Sequence, residues 1–109
     1  MPKPTLIQVF GANATQTATD IVIKKADLVA VGLTASANNT AESLLMAIAL
    51  KAQVTLSETN RNTNPDQSVA IEDSFAQIAN RGTSQYYQSS FNLTAQKLNT
   101  TAAIDPDDY

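Results

Sequence analysis

The stretch from Ser36 to Ala52 limits what this chain can fold into more than any other. Its polar lead, Ser36-Ala37-Asn38-Asn39-Thr40-Ala41-Glu42-Ser43, reaches Thr40, a residue suited to cap a helix, and puts Glu42 in the first turn. A threonine oxygen there can accept an otherwise unpaired backbone N–H, and a carboxylate is favoured by the helix dipole. Leu44-Leu45-Met46-Ala47-Ile48-Ala49-Leu50-Lys51-Ala52 then has strong helix propensity. The spacing predicts a helix over about residues 40–58. Val54 and Leu56 also alternate, so Gln53 to Ser57 can equally be read as a strand.

On a helical wheel this segment has two apolar sides. Leu44, Leu45, Ile48, Ala52 and Leu56 form one broad stripe, and Met46, Leu50 and Val54 form an i, i+4, i+8 row roughly opposite. Packing on one sheet needs only the first. The second row is accounted for by central burial, by a helix that ends before Val54, or by cover from another subunit, since contiguous exposed apolar surface marks interaction sites. The last reading expects Leu50→Asp to disturb assembly more than secondary structure.

Around this helix the pattern is mostly of strands. Pro2 and Pro4 make residues 1–4 an extended arm. Thr5 to Phe10 reads as a short strand ended by Gly11, and Asn13 to Thr19 as a loop. Asp20 to Lys25 alternates, with Ile21 and Ile23 on one face, and Leu28 to Leu33 reads as a further strand with Gly32 at a bulge or turn. Asn60 to Gln67 is a turn-rich connection. Ser68 to Glu72 and the longer alternation from Gln85 to Leu98 read as antiparallel neighbours joined across Asn80-Arg81-Gly82. Residues 99–109 form a polar, acidic tail. The expected architecture is α+β: one domain over 5–98, a small antiparallel β-sheet with one central helix, and extended N- and C-terminal segments.

Composition narrows the chemistry. Asn, Gln, Ser and Thr supply 38 of the 109 residues, and there is no Cys or His. Disulfides, thiol nucleophiles, thiolate zinc sites and the usual general base are thereby excluded. Of the ten acids three are Asp105, Asp107 and Asp108, which leaves seven against the seven Lys and Arg, so residues 1–104 are neutral. Two Arg and five scattered Lys give no cationic cluster for nucleic acid. The longest apolar run, Leu44 to Leu50, is too short to span a bilayer, and no signal-peptide pattern follows Met1, which sets an expectation of cytoplasmic synthesis.

Among individual residues, Glu72 and Asp73 are neighbours on a strand and point to opposite faces, so they do not converge as an acid–base pair. The serines have no His base, and Gly11, Gly32 and Gly82 are too far apart to cradle a phosphate. Asn-x-Ser/Thr triplets stand at Asn13, Asn38, Asn92 and Asn99, unused without export. Of the adjacent Tyr86 and Tyr87, Tyr87 is expected in the core with Phe91, which leaves Tyr86 as a contact for a partner or a sugar. The ending Ile104-Asp105-Pro106-Asp107-Asp108-Tyr109 reads as a solvated end, as a hook for a basic surface on a neighbour, or as an oxygen-rich cation site.

The Cys- and His-free, Thr/Asn/Gln/Ala-rich body, the Ser36–Ser43 lead into an apolar helix, and the Asp-Pro-Asp-Asp-Tyr ending resemble small virion structural proteins of tailed phages, particularly those of cyanobacteria. The resemblance implies a non-enzymatic building block without catalytic residues, cofactor or metal, made in the host cytoplasm and residing in the virion. A capsid decoration (cement) protein comes first, and a head–tail connector or tail component second. Its partners would be further copies of itself and a major capsid or other virion protein, with neither nucleic acid nor membrane involved. The contacts would come from Met46, Leu50, Val54 and Tyr86, and from Asp105, Asp107, Asp108 and Tyr109, with both termini reaching onto adjacent subunits. A competing reading is a small polysaccharide- or protein-binding module built around Tyr86.

Overall fold

A computed structural model describes residues 2–98 and 106–109. The fold is α+β, small antiparallel sheets around one long helix, as the pattern of the chain leads one to expect. That helix, here α2, covers Ala41–Thr55. Thr40 caps it, its side-chain oxygen accepting from the Ser43 N–H at 3.1 Å. It stops short of residue 58 because Ser57 starts a new helix, α3 (Glu58–Thr63), by accepting from the Asn60 N–H at 3.1 Å. Gln53 to Thr55 is therefore helix and not strand.

Two expected strands are helical. Leu6–Phe10 forms a short helix, α1, because Thr5 and Gln8 close its first turn reciprocally. The Thr5 hydroxyl accepts from the Gln8 N–H at 3.2 Å, and the Gln8 side chain accepts from the Thr5 N–H at 2.9 Å. This capping box outweighs the weak alternation of the segment. Lys25–Val31 is a 3₁₀ helix closed by Gly32 in the left-handed region (φ 107°, ψ 4°). Its apolar residues reach the core from one helical side, where Leu28 and the following Leu33 are buried with Ala47. Between these helices, Thr15–Gln16 (β1) and Ile21–Val22 (β2) form a minimal antiparallel pair, with Ile21 and Val22 exposed and Ile23 half-buried.

The C-terminal half is one interrupted ribbon. Val69–Asp73 (β3) pairs with Phe91–Ala95 (β6), from Val69 opposite Ala95 to Asp73 opposite Phe91. Gln77–Arg81 (β4) pairs with Ser84–Gln88 (β5), from Gln77 opposite Gln88 to Arg81 opposite Ser84. The two outer segments are thus antiparallel neighbours, but the long strand expected over 85–98 is broken at Ser89-Ser90. Residues 74–76 face only 89–90, so the first strand carries one extra residue, the signature of a β-bulge. Gly82, with φ 60°, occupies the first central position of the two-residue turn, where a positive φ matches the twist of the flanking strands.

The core is small and split in two by α2. On one side Ala52 packs with Val9 and Ile71, supported by Phe10, Leu56 and Phe91. On the other, Ala47 packs with Leu28 and Leu33, supported by Ile23, Val31, Leu44 and Ile48. Alanine is what lets α1, the 3₁₀ helix and β3 approach α2 closely. The N-terminal arm does not reach away from the domain. Lys3 donates to the Asp66 carbonyl (2.9 Å) and to Ser68 Oγ (3.0 Å), while Asn64 Nδ2 holds the Pro2 carbonyl at 3.0 Å. No helix among the described residues is long and apolar enough to cross a membrane.

Candidate interaction surface

The arm made by β4 and β5 is largely in solvent: every residue of the two strands except Ala79 is exposed. Its exposure is not that of a polar loop. Phe75 is 88% exposed, Tyr87 73% and Ile78 61%. Ile78 and Tyr87 are directly opposite each other, so they form an apolar pair on one face. Tyr87 is expected inside with Phe91 and Tyr86 outside; both are exposed, Tyr86 at 43% as expected and Tyr87 at 73% against expectation. Arg81 lays its guanidinium over the Tyr86 ring, 4.4 Å from the centroid. One face of that ring is therefore already occupied, which counts against Tyr86 as a sugar-stacking platform.

The second apolar row of α2 is only partly free. Met46 and Val54 are exposed, the latter 67%, while Leu50 is half-buried. Leu50 lines two adjoining clefts. One, of about 170 Å³, lies against Val31, Leu33, Met46 and Ala47. The other, of about 310 Å³, is closed by Gln53, Asp73, Tyr87 and Phe91. The helix row and the base of the arm are thus continuous through Leu50. Substitution of Leu50 by Asp would reach the fold as well as the surface, so Met46 and Val54 are the cleaner probes of contact.

The C-terminal residues are seen in part. Asp105 lies outside the described residues, as does the side chain of Asp108. Pro106–Asp108 makes a 3₁₀ turn in which the Tyr109 N–H donates to the Pro106 carbonyl at 3.3 Å; Asp107 is exposed and Tyr109 half-buried.

Glu72 and Asp73 diverge as strand geometry requires. Asp73 accepts from Gln53 Nε2 on α2 at 3.0 Å, whereas Glu72 faces Glu58 on α3. A hydrogen bond shared with the Glu58 carboxyl, and then repulsion between the two charges, raise Glu72 above its ordinary value, with Arg61 opposing. Arg61 itself ties α3 to the ribbon, donating to Thr94 Oγ1 at 2.9 Å and to the Thr94 carbonyl at 3.3 Å. Two neighbouring carboxyl groups can serve acid–base chemistry, but neither lines any of the clefts named above or below. Because the folded state holds the Glu72 proton more tightly than the unfolded state, its contribution is greatest in acid and is lost as pH rises from about 4.5 through the raised value. Glu72→Gln is therefore expected to raise the urea midpoint at pH 7 and leave it unchanged at pH 4. An equal shift at both pH values would show that the pair does not titrate in this way.

Two further clefts adjoin the N-terminal arm. One of about 440 Å³, between Pro2, Gln8, Thr55, Asn60, Asn64 and Gln67, has no titratable side chain in its lining. Another, of about 600 Å³, brings Lys3, Asp66, Ser68 and Lys97 together with Leu98, and in it Lys3 Nζ donates to Ser68 Oγ at 3.0 Å. Among the described residues no three His, Cys, Asp or Glu converge as a metal site. Compared with models of known families, with curated proteins and with solved structures, the chain finds no match.

Proposed function

We propose that the chain is a non-enzymatic building block of a protein particle, acting first as a decoration or cement protein that bridges capsid subunits of a phage. The observation that carries this reading is a surface too large for the chain's size. It exposes 8043 Å² and has a radius of gyration of 16.2 Å. A monomeric domain of this mass exposes roughly 5,800 Å² and has a radius near 13 Å. If the eight residues outside the described ranges are counted as fully exposed, at about 155 Å² each, roughly 1,000 Å² of excess remains.

Part of the exposed surface is apolar, with Phe75, Ile78 and Tyr87 on or beside the arm and Met46 and Val54 on α2. Surface of that kind is what a neighbouring subunit covers. A body without net charge suits dense packing among copies, since few ions need to be desolvated. Repetition then lets individually weak contacts hold through multivalency. The resemblance to small phage virion proteins selects the capsid as the setting.

The test is where the protein resides. Antibodies raised against the chain, applied to a density-gradient fractionation of a lysate in which it is made, should find it co-sedimenting with particles at many copies each. Recovery only in slow-sedimenting fractions, with none in particles, would contradict the proposal.

A further inference from the structure

The two clefts beside the N-terminal segment form one trough with a strap laid across it. Pro2 and Pro4 line the cleft of about 440 Å³ and Lys3 lines the cleft of about 600 Å³, while Gln67, only 5% exposed, lines both. Residues 2–4 therefore run between two spaces that they do not fill. Pro2 and Lys3 are exposed and Pro4 is half-buried, and none of the three belongs to either half of the core.

The strap is fastened through side chains alone. Pro2 and Pro4 have no amide N–H, and no backbone–backbone hydrogen bond ties residues 2–4 to the rest of the described chain. Its fastenings are Lys3 Nζ on the Asp66 carbonyl (2.9 Å) and on Ser68 Oγ (3.0 Å), and Asn64 Nδ2 on the Pro2 carbonyl (3.0 Å). All three bonds are exposed, so water can replace each of them at little net loss. Thr5, by contrast, is fixed at the head of α1 by its reciprocal bonds with Gln8. The strap can come away by turning at the Pro4–Thr5 junction while α1 stays in place. Its two prolines keep the freed segment extended, which reduces the freedom it loses on docking again.

An opened trough has a seat for one segment in particular. Its hydrogen-bonding groups are already matched to Pro2-Lys3-Pro4, so the same segment of a neighbouring copy satisfies them without any new contact having to be made. We propose that the strap is exchanged on assembly: residues 2–4 of one copy occupy the trough of a second copy, held there by the groups of Asn64, Asp66 and Ser68 that hold them within one chain. This rests on the assembly reading and names a joint between copies that is separate from the β4–β5 arm. Four extended residues reach roughly 14 Å, so exchange needs a neighbouring trough within about that distance of Thr5. In dilute solution the chain's own strap wins, because its tether keeps it at a high effective concentration. Between closely packed copies that advantage is lost.

The chain contains no Cys, so introduced thiols report contacts without background. Pro2→Cys and Asn64→Cys proteins, mixed in equal amounts at a concentration where the parent self-associates, are treated with a short bis-maleimide reagent. Exchange predicts a covalent heterodimer linked from position 2 to position 64, located by peptide mass mapping, in excess over both homodimers and lost on dilution. The double variant is expected to link between chains at that concentration and within the chain when dilute. Thermal melts matching the parent confirm folding, and Lys3→Cys with Ser68→Cys repeats the test at the second fastening should the first pair fold poorly. Links formed only within chains, with no heterodimer from either mixture while the parent is associated, would overturn exchange and leave the assembly role standing. A parent that is monomeric at every concentration would overturn exchange together with self-association.

Discussion

Ile78→Thr combined with Tyr87→Thr is expected to weaken self-association by about 30-fold or more, while leaving the far-ultraviolet circular dichroism unchanged because threonine suits a strand. Both side chains are largely in solvent within one chain, at 61% and 73% exposure, so the fold loses little when they change. If a neighbouring copy covers the arm they lie at its contact, where truncating a hot-spot residue costs about 2 kcal/mol or more, roughly 30-fold. Met46→Asp with Val54→Asp probes the continuation of the surface onto α2 and is expected to act in the same direction with a smaller effect. If the arm variant associates as tightly as the parent, the arm is not the contact.

Gly11→Ala is expected to be among the most destabilising single changes in the chain. Gly11 ends α1 with φ 118°, a backbone state side chains rarely adopt, and its N–H donates to the Ile7 carbonyl at 3.0 Å. A methyl group there would also overlap Asp27, approaching its Cγ to 2.7 Å. Asp27 has no room to yield cheaply, because its two carboxylate oxygens hold the Asn13 N–H and side-chain amide at 3.0 and 3.1 Å. Backbone strain of about 1–3 kcal/mol and overpacking of similar size together suggest a loss of about 3 kcal/mol. For a domain of this size that lowers the melting temperature by more than about 12 °C. Gly32→Ala is the control. Its φ of 107° is also positive, but an added methyl meets nothing within 4 Å, so only the backbone part should appear, about 1 kcal/mol. Equal losses at the two glycines would show that contact with Asp27 carries no weight.

The sequence was most legible where structure is set by near neighbours. The Thr40 cap involves residues three apart, and α2 follows it as expected. The pairing of 69–73 with 91–95 was legible because both segments alternate across a glycine turn. Thr5 and Gln8 carry a capping-box spacing too, but Leu6-Ile7-Gln8-Val9-Phe10 also alternates, and the alternation pointed the wrong way. The need for glycine at position 11 comes from Asp27, a residue distant in sequence that no local pattern reveals. The arm was hidden for a related reason. A single extra residue at the bulge shifts the pairing, and that shift changes which side chains of a continuous alternation face inward. Tyr87 was placed in the core on the assumption of an unbroken strand. The two-sided pattern of α2 was readable, but the half-burial of Leu50 depends on the 3₁₀ helix and the ribbon that flank it.

Sedimentation equilibrium of the unmodified chain, followed over a wide range of concentrations, tests the central claim most directly. If a neighbouring copy completes the surface, the measured mass will rise with concentration from 11.6 kDa to at least twice that value. A mass that stays at 11.6 kDa at every concentration, with the arm as protected from proteolysis as the α2 core, would contradict it.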